Sequence, residues 1–262
     1  MAKSDMMMFV KDAEQLTKPA TRRQFLRVLG VGGTLVMLPS VFTACGDDDP
    51  VSPGTQPAAV SLNLTTDTGI LNYAYALEQL EAAFYTAALT SPGYAALSAN
   101  EKEVIDDLQK HEVTHREFLK AALSNNAIGT IQFNATTVAT MTASRDALLR
   151  NSQLLEDTGV AAYNGAGKYL SSATNLLVAG KIVSVEARHA AAIRDMRDTT
   201  GRLFAGDDVV DANGLDVKSE PSTVITAVGS LNVIDTTKNT IAIGNAPTKT
   251  TATADRNAPT PA

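Results

Sequence analysis

The sequence predicts an all-α protein: a four-helix bundle with a long crossover between the second and third helices, plus an irregular C-terminal extension. Three observations predict it. Aromatic residues make up 5% of the chain, Trp is absent and Ala is abundant. Such a composition favours helices over a β-sandwich, because Ala is the best helix former and a poor strand former. Four runs between residues 67 and 200 repeat apolar residues at spacings of three and four, the period of a helix with one buried face. The connections between these runs are short, then long, then short. With 262 residues, 44% of them hydrophobic, the chain can bury a sizeable core.

Residues 1–45 read as an address rather than as part of that core. Thr21-Arg22-Arg23-Gln24-Phe25-Leu26 precedes an uncharged run from Val28 to Ala44. The pattern resembles a twin-arginine export signal. The run is short for a membrane span, which needs roughly 20 apolar residues. It ends in Phe42-Thr43-Ala44-Cys45, which resembles a lipobox with Cys45 as the lipidated first residue of the mature chain. The expectation is export to the cell envelope on the periplasmic side, with a lipid anchor to a membrane. A single cysteine also excludes an internal disulfide framework and a cysteine-based zinc site. Residues 46–65 read as a linker, opening with the polar Gly46-Asp47-Asp48-Asp49-Pro50.

The bundle is expected over residues 66–204. Its first helix runs from Asp67 to Leu89 and is stopped by Pro92-Gly93. Ser98-Ala99-Asn100-Glu101 is a capping-box pattern that opens the second, which reaches about Asn125. The third covers Thr142 to Ala162 and the fourth Ser172 to Thr200. Between the second and third lie residues 126–141, which reach ~50 Å when extended. A helix of two dozen residues is ~36 Å long, so this segment can run the length of a bundle and join two antiparallel hairpins. Residues 205–245 are rich in Thr, Asp, Asn and Gly and read as an irregular extension. Thr240-Ile241-Ala242-Ile243 is β-prone, and Pro221-Ser222-Thr223-Val224-Ile225 can open a short helix. Residues 246–262 read as a disordered tail.

The chemistry-bearing residues form a repeat. Glu112-x-x-His115 on the second helix has the same spacing as Glu186-x-x-His189 on the fourth, and residues three apart share a helix face. The first helix carries Glu78 within an apolar stripe, and the third carries Glu156 after Leu154-Leu155. A carboxylate on a core-facing stripe is costly unless neutralised or bound to a cation. Tyr85 follows Glu78 by seven residues, as Tyr163 follows Glu156. Four carboxylates and two imidazoles are what two neighbouring divalent ions require, one Glu from each of two helices and Glu-x-x-His from the other two. Glu81, one turn after Glu78, is an alternative or outlying ligand.

Carried by LEQLEAAFY (77–85) and VEARHAAAIR (185–194), the chain resembles the ferritin-like superfamily, in its branch of exported bacterial ferritin-like or desiccation-related proteins. The resemblance covers about 66–204. It implies two iron ions, or alternatively two manganese ions. Glu78 and Glu156 would be terminal carboxylates, Glu112 and Glu186 bridging carboxylates, and His115 and His189 terminal nitrogens. Tyr85 is similar to the tyrosine near the metals of ferritins and rubrerythrins, and Tyr163 is its counterpart; both are candidate catalytic residues. The implied activity is oxidase, peroxidase or catalase-like, with Fe(II), O2 or peroxide as small substrates in stress protection. The reading is compatible with a homodimer. A non-catalytic envelope scaffold with a vacant site is the competing class, since fold does not fix activity.

His111-Glu112-Val113-Thr114-His115 also matches H-E-x-x-H, in which both histidines would hold zinc and the Glu would act as base. That reading leaves Glu78, Glu156 and the second Glu-x-x-His unexplained, and Val185 stands where the repeat would need a partner for His111. His111 is therefore expected to be incidental to ligation, lying ~40° from His115 either just behind the ligands or at the surface. The formal net charge of -6 argues against nucleic acid as a partner.

Overall fold

The computed structural model describes residues 58–247 apart from Thr199. The twin-arginine and lipobox segments, Cys45, most of the linker and residues 248–262 lie outside the described residues. In chain order the elements are β1 (Ala58–Asn63), α1 (Asp67–Ala88), the short α2 (Pro92–Ala95), α3 (Ala99–Leu123), α4 (Ala135–Met141), α5 (Arg145–Gly167), α6 (Ala173–Arg197), α7 (Pro221–Ser230) and β2 (Asn239–Asn245). The four predicted runs are α1, α3, α5 and α6. They pack as two hairpins, α1 with α3 and α5 with α6, joined by the crossover.

Each long helix starts where a short polar side chain can serve its free N–H groups. Thr66 accepts from the Gly69 N–H, Ser144 from Ala147 and Ser172 from Asn175. Ser98 and Glu101 form the full reciprocal capping box predicted for α3. Arg194 and Arg197 occupy the last turn of α6, where cations suit the helix dipole.

The crossover lies along α1 because α1 holds it there. Asn72 donates to the Asn126 carbonyl at 2.8 Å and accepts from the Ile128 N–H at 2.8 Å. Seven residues on, Gln79 accepts from the Ile131 N–H at 2.9 Å. Two buried amides on the same helix face thus satisfy crossover backbone that would otherwise be orphaned. The helix α4, capped by Asn134, sits inside the segment read as plain loop.

The extension over residues 205–245 is more ordered than its composition implies. β2 pairs in parallel with β1, Val60 opposite Ile241 and Leu62 opposite Ile243. Leu62 and Leu64 are buried, so the last residues of the predicted linker join the core instead of tethering it. The β-prone piece at 240–243 needed a partner strand, and that partner, residues 59–62, lies far earlier in the chain. Gly165 allows the tail to meet α5: a Cβ there would fall 1.8 Å from the Ser219 carbonyl oxygen. Ser219 N–H donates to the Ala161 carbonyl at 2.9 Å, and Asn164 Nδ2 donates to that of Val217 at 3.1 Å. Arg194 closes the arrangement from α6, with one guanidinium bonded to both Asp157 and Asp208. Among the described residues, no helix is long and apolar enough to cross a membrane.

Candidate metal centre

Six side chains from the four long helices meet in the middle of the bundle. Glu78 comes from α1, Glu112 and His115 from α3, Glu156 from α5, and Glu186 and His189 from α6. All four carboxylates are fully buried, and His189 is 3% exposed. They fall into two groups of four whose ligand atoms lie within 4.8 Å of one another. One comprises Glu78, Glu112, His115 and Glu186, the other Glu112, Glu156, Glu186 and His189. Glu112 and Glu186 belong to both, the pair that the resemblance assigns to bridging positions.

The imidazoles present Nδ1 to the carboxylates. His115 Nδ1 lies 2.8 Å from Glu186, and 3.5 Å from both Glu78 and Glu112. His189 Nδ1 lies 2.8 Å from Glu112 and 3.2 Å from Glu156. These distances suit ion pairing, yet the directions are not those of hydrogen bonds. Glu78 Oε2, both oxygens of Glu112 and of Glu186, Glu156 Oε2, and both Nδ1 atoms have no hydrogen-bond partner. Buried polar atoms are almost always satisfied. Eight unsatisfied ones in a single cluster fit ligation of cations, and carboxylate oxygens with two imidazoles are donors that divalent metal ions accept.

Electrostatics agree with an unfinished charge balance. Burial, then the charge of Glu186, pushes the Glu78 carboxyl well above the usual range. Burial and Glu112 raise Glu156 to about 8. Burial would raise Glu112 too, but His115 and His189 hold it down to about 2. The same carboxylates overcome the effect of burial on His189 and lift it to about 12.

The two tyrosines are bonded crosswise. Tyr85 on α1 donates to Glu156 Oε1 of α5 at 2.6 Å, and Tyr163 on α5 donates to Glu78 Oε1 of α1 at 2.5 Å. In each carboxylate one oxygen is tied to a phenol and the other is left for the cluster. Glu81 is buried beside the cluster but belongs to neither group of four. Burial and the charges of Glu186 and Glu112 raise its carboxyl well above the usual range. It lies against Gly159, where a Cβ would come within 3.0 Å of its Oε1. Gly159 is thus a residue that the sequence reading missed: it stands at the place in α5 that Glu81 takes in α1, three after the Glu of the repeat.

His111 lies just behind the ligands. Its Nδ1 lies 2.9 Å from His189 Nε2, and the two rings are nearly parallel. Among the described residues, no group brings His111 and His115 to one ion, as a zinc protease would need. The available signal was its position four residues before His115, hence on the same side of α3. Spacing within one helix could not show that α6 supplies its partner.

Fold and site together define a four-helix bundle with a buried carboxylate–histidine cluster that could hold metal ions. The ferritin-like domain family matches residues 66–199, just over half of the chain, and the chain belongs to that family. No curated protein matches the sequence.

Proposed function

We propose that this protein is an exported, lipid-anchored di-metal carboxylate protein of the cell envelope, carrying two iron or two manganese ions. Its chemistry is redox chemistry on Fe(II), O2 or peroxide in stress protection. One observation carries the reading: eight unsatisfied donor atoms converge in two groups that share Glu112 and Glu186. When bound, the ions supply the electrons that these side chains cannot.

The chain's own residues provide the rest. Glu78 and His115 would hold one ion and Glu156 and His189 the other, with Glu112 and Glu186 between them. Tyr85 and Tyr163 keep Glu156 and Glu78 from turning away, so little reorganisation accompanies binding. Burial and then the charges of Glu186 and Glu112 raise the Glu81 carboxyl in the metal-free chain; reduction of O2 or peroxide consumes protons, and a carboxyl beside the centre is placed to supply one. Export and lipid attachment rest on Arg22-Arg23 and Cys45.

The test is elemental analysis of the full chain expressed with iron and manganese available, beside a Glu112→Ala/Glu186→Ala variant. About two Fe or Mn per chain, lost in the variant, supports the proposal and is followed by peroxide and Fe(II) oxidation assays. A folded chain that takes up neither metal refutes it and leaves a scaffold. Export is tested by replacing Arg22-Arg23 with Lys and anchoring by Cys45→Ala, with the chain followed by fractionation.

A further inference from the structure

The repeat that doubles Glu-x-x-His does not double His111. Its counterpart before Glu186 is Val185, whose side chain has no polar atom. In the folded chain this difference separates the two imidazoles of the centre. His189 has Nε2 within 2.9 Å of His111 Nδ1, the ring planes 8° apart and the centroids 5.1 Å apart. No hydrogen bond from a described residue reaches the outer nitrogen of His115.

A neutral imidazole has one lone-pair nitrogen and one N–H. With Nδ1 of His189 facing Glu112 and Glu156, ligation through Nδ1 requires the proton to sit on Nε2. A hydrogen-bond acceptor at Nε2 holds that tautomer, fixes the ring plane and makes the ligating nitrogen more basic. His111 Nδ1 is placed to accept, which leaves its own N–H on Nε2. His111 is exposed and anchored on α3 next to Glu112, so the same turn supplies a ligand to the centre and the brace for a ligand on α6.

We infer that His111 is a positioning residue for His189, and that it makes the ion held by Glu156 and His189 the more tightly bound of the two. The inference rests on the di-metal reading above. It turns a centre that is nearly two-fold symmetric in its ligands into one with two unequal positions.

The test titrates the metal-free full chain with Mn(II), counting free ion by electron paramagnetic resonance. Wild type, His111→Leu and His111→Gln are compared. Leu removes the acceptor, whereas the Gln side-chain oxygen can still accept from Nε2–H. The wild type is expected to bind two ions in two resolvable steps. In His111→Leu the tighter step weakens by about 10–100-fold, the usual effect of losing such a partner. The weaker step stays as in wild type, and His111→Gln recovers most of the loss. Unchanged steps in His111→Leu overturn the inference, as does equal weakening of both steps or a Gln variant that behaves like Leu. A folded wild type that binds no Mn(II) overturns the inference and counts against the di-metal reading too, which separates that failure from the others.

Discussion

Replacing Tyr85 by Phe deletes a single oxygen from the inside of the bundle, and the consequence can be worked out from its surroundings. The hydroxyl donates to Glu156 Oε1 at 2.6 Å, and both residues are fully buried. The other oxygen of Glu156 already has no partner. Phe therefore leaves a buried carboxyl with neither oxygen satisfied by the protein. An unsatisfied buried acceptor costs about 1–3 kcal/mol. In a domain of this size each kcal/mol lowers the unfolding midpoint by about 2–4 °C, so Tyr85→Phe is expected to melt about 2–12 °C below wild type in the metal-free state. Tyr94→Phe is the matched control. Its hydroxyl makes the same kind of bond, 2.7 Å to Asp106, but at the surface, where water can take over. There the loss should stay below about 1 kcal/mol. Thermal unfolding followed by circular dichroism, with metal chelated, measures both. If Tyr85→Phe melts no lower than Tyr94→Phe, the phenol is not satisfying a buried carboxyl and the description of the centre is wrong.

Other perturbations read different parts of the structure. Mn(II) at about 100 times its dissociation constant should stabilise by about 2.7 kcal/mol per site. For two sites the midpoint rises by about 10–20 °C, and calorimetry should find no such rise in Glu112→Gln/Glu186→Gln. Gly165→Ala drives a Cβ into the Ser219 carbonyl; it should cost about 1–3 kcal/mol in urea unfolding and increase proteolysis within residues 205–220. The Arg145 guanidinium holds the Glu101 carboxyl down to about 2, against an ordinary value of 4.5. A folded value below the unfolded one means that this stabilisation is complete above 4.5 and disappears as pH falls toward 2. The stability gap between wild type and Glu101→Gln, measured by urea unfolding, should therefore narrow on acidification.

Much of this was legible because it is local. Ser98 and Glu101 announced a helix start that needs only one turn of chain to form. The two Glu-x-x-His pairs and the Glu…Tyr spacing showed which side chains share a helix face, and the crossover length showed that two hairpins could lie together. The candidate ligand set follows from those periodicities, since a buried face bearing four carboxylates is costly unless they are neutralised or bound to cations. What local spacing cannot express is which faces meet. The phenols bond crosswise, over 71 and 85 residues of sequence, because α1 and α5 face each other across the centre. His111 braces His189 across 78 residues, and only the approach of α3 to α6 brings those rings together.

The same limit explains the extension over residues 205–245. A segment rich in Thr, Asp and Asn has little apolar surface of its own, and composition alone reads it as irregular. It is ordered by a parallel partner strand at the other end of the domain and by the Gly165 contact on α5. The sequence by itself determined the four long helices, the cap that opens α3 and the chemical kind of the candidate centre, because these depend on residues within a few turns of one another. Tertiary structure alone decided the crossed tyrosines, the His111–His189 pair and the β1–β2 pairing. Each needs two distant segments held at hydrogen-bond distance, and only packing of the whole bundle fixes such a distance.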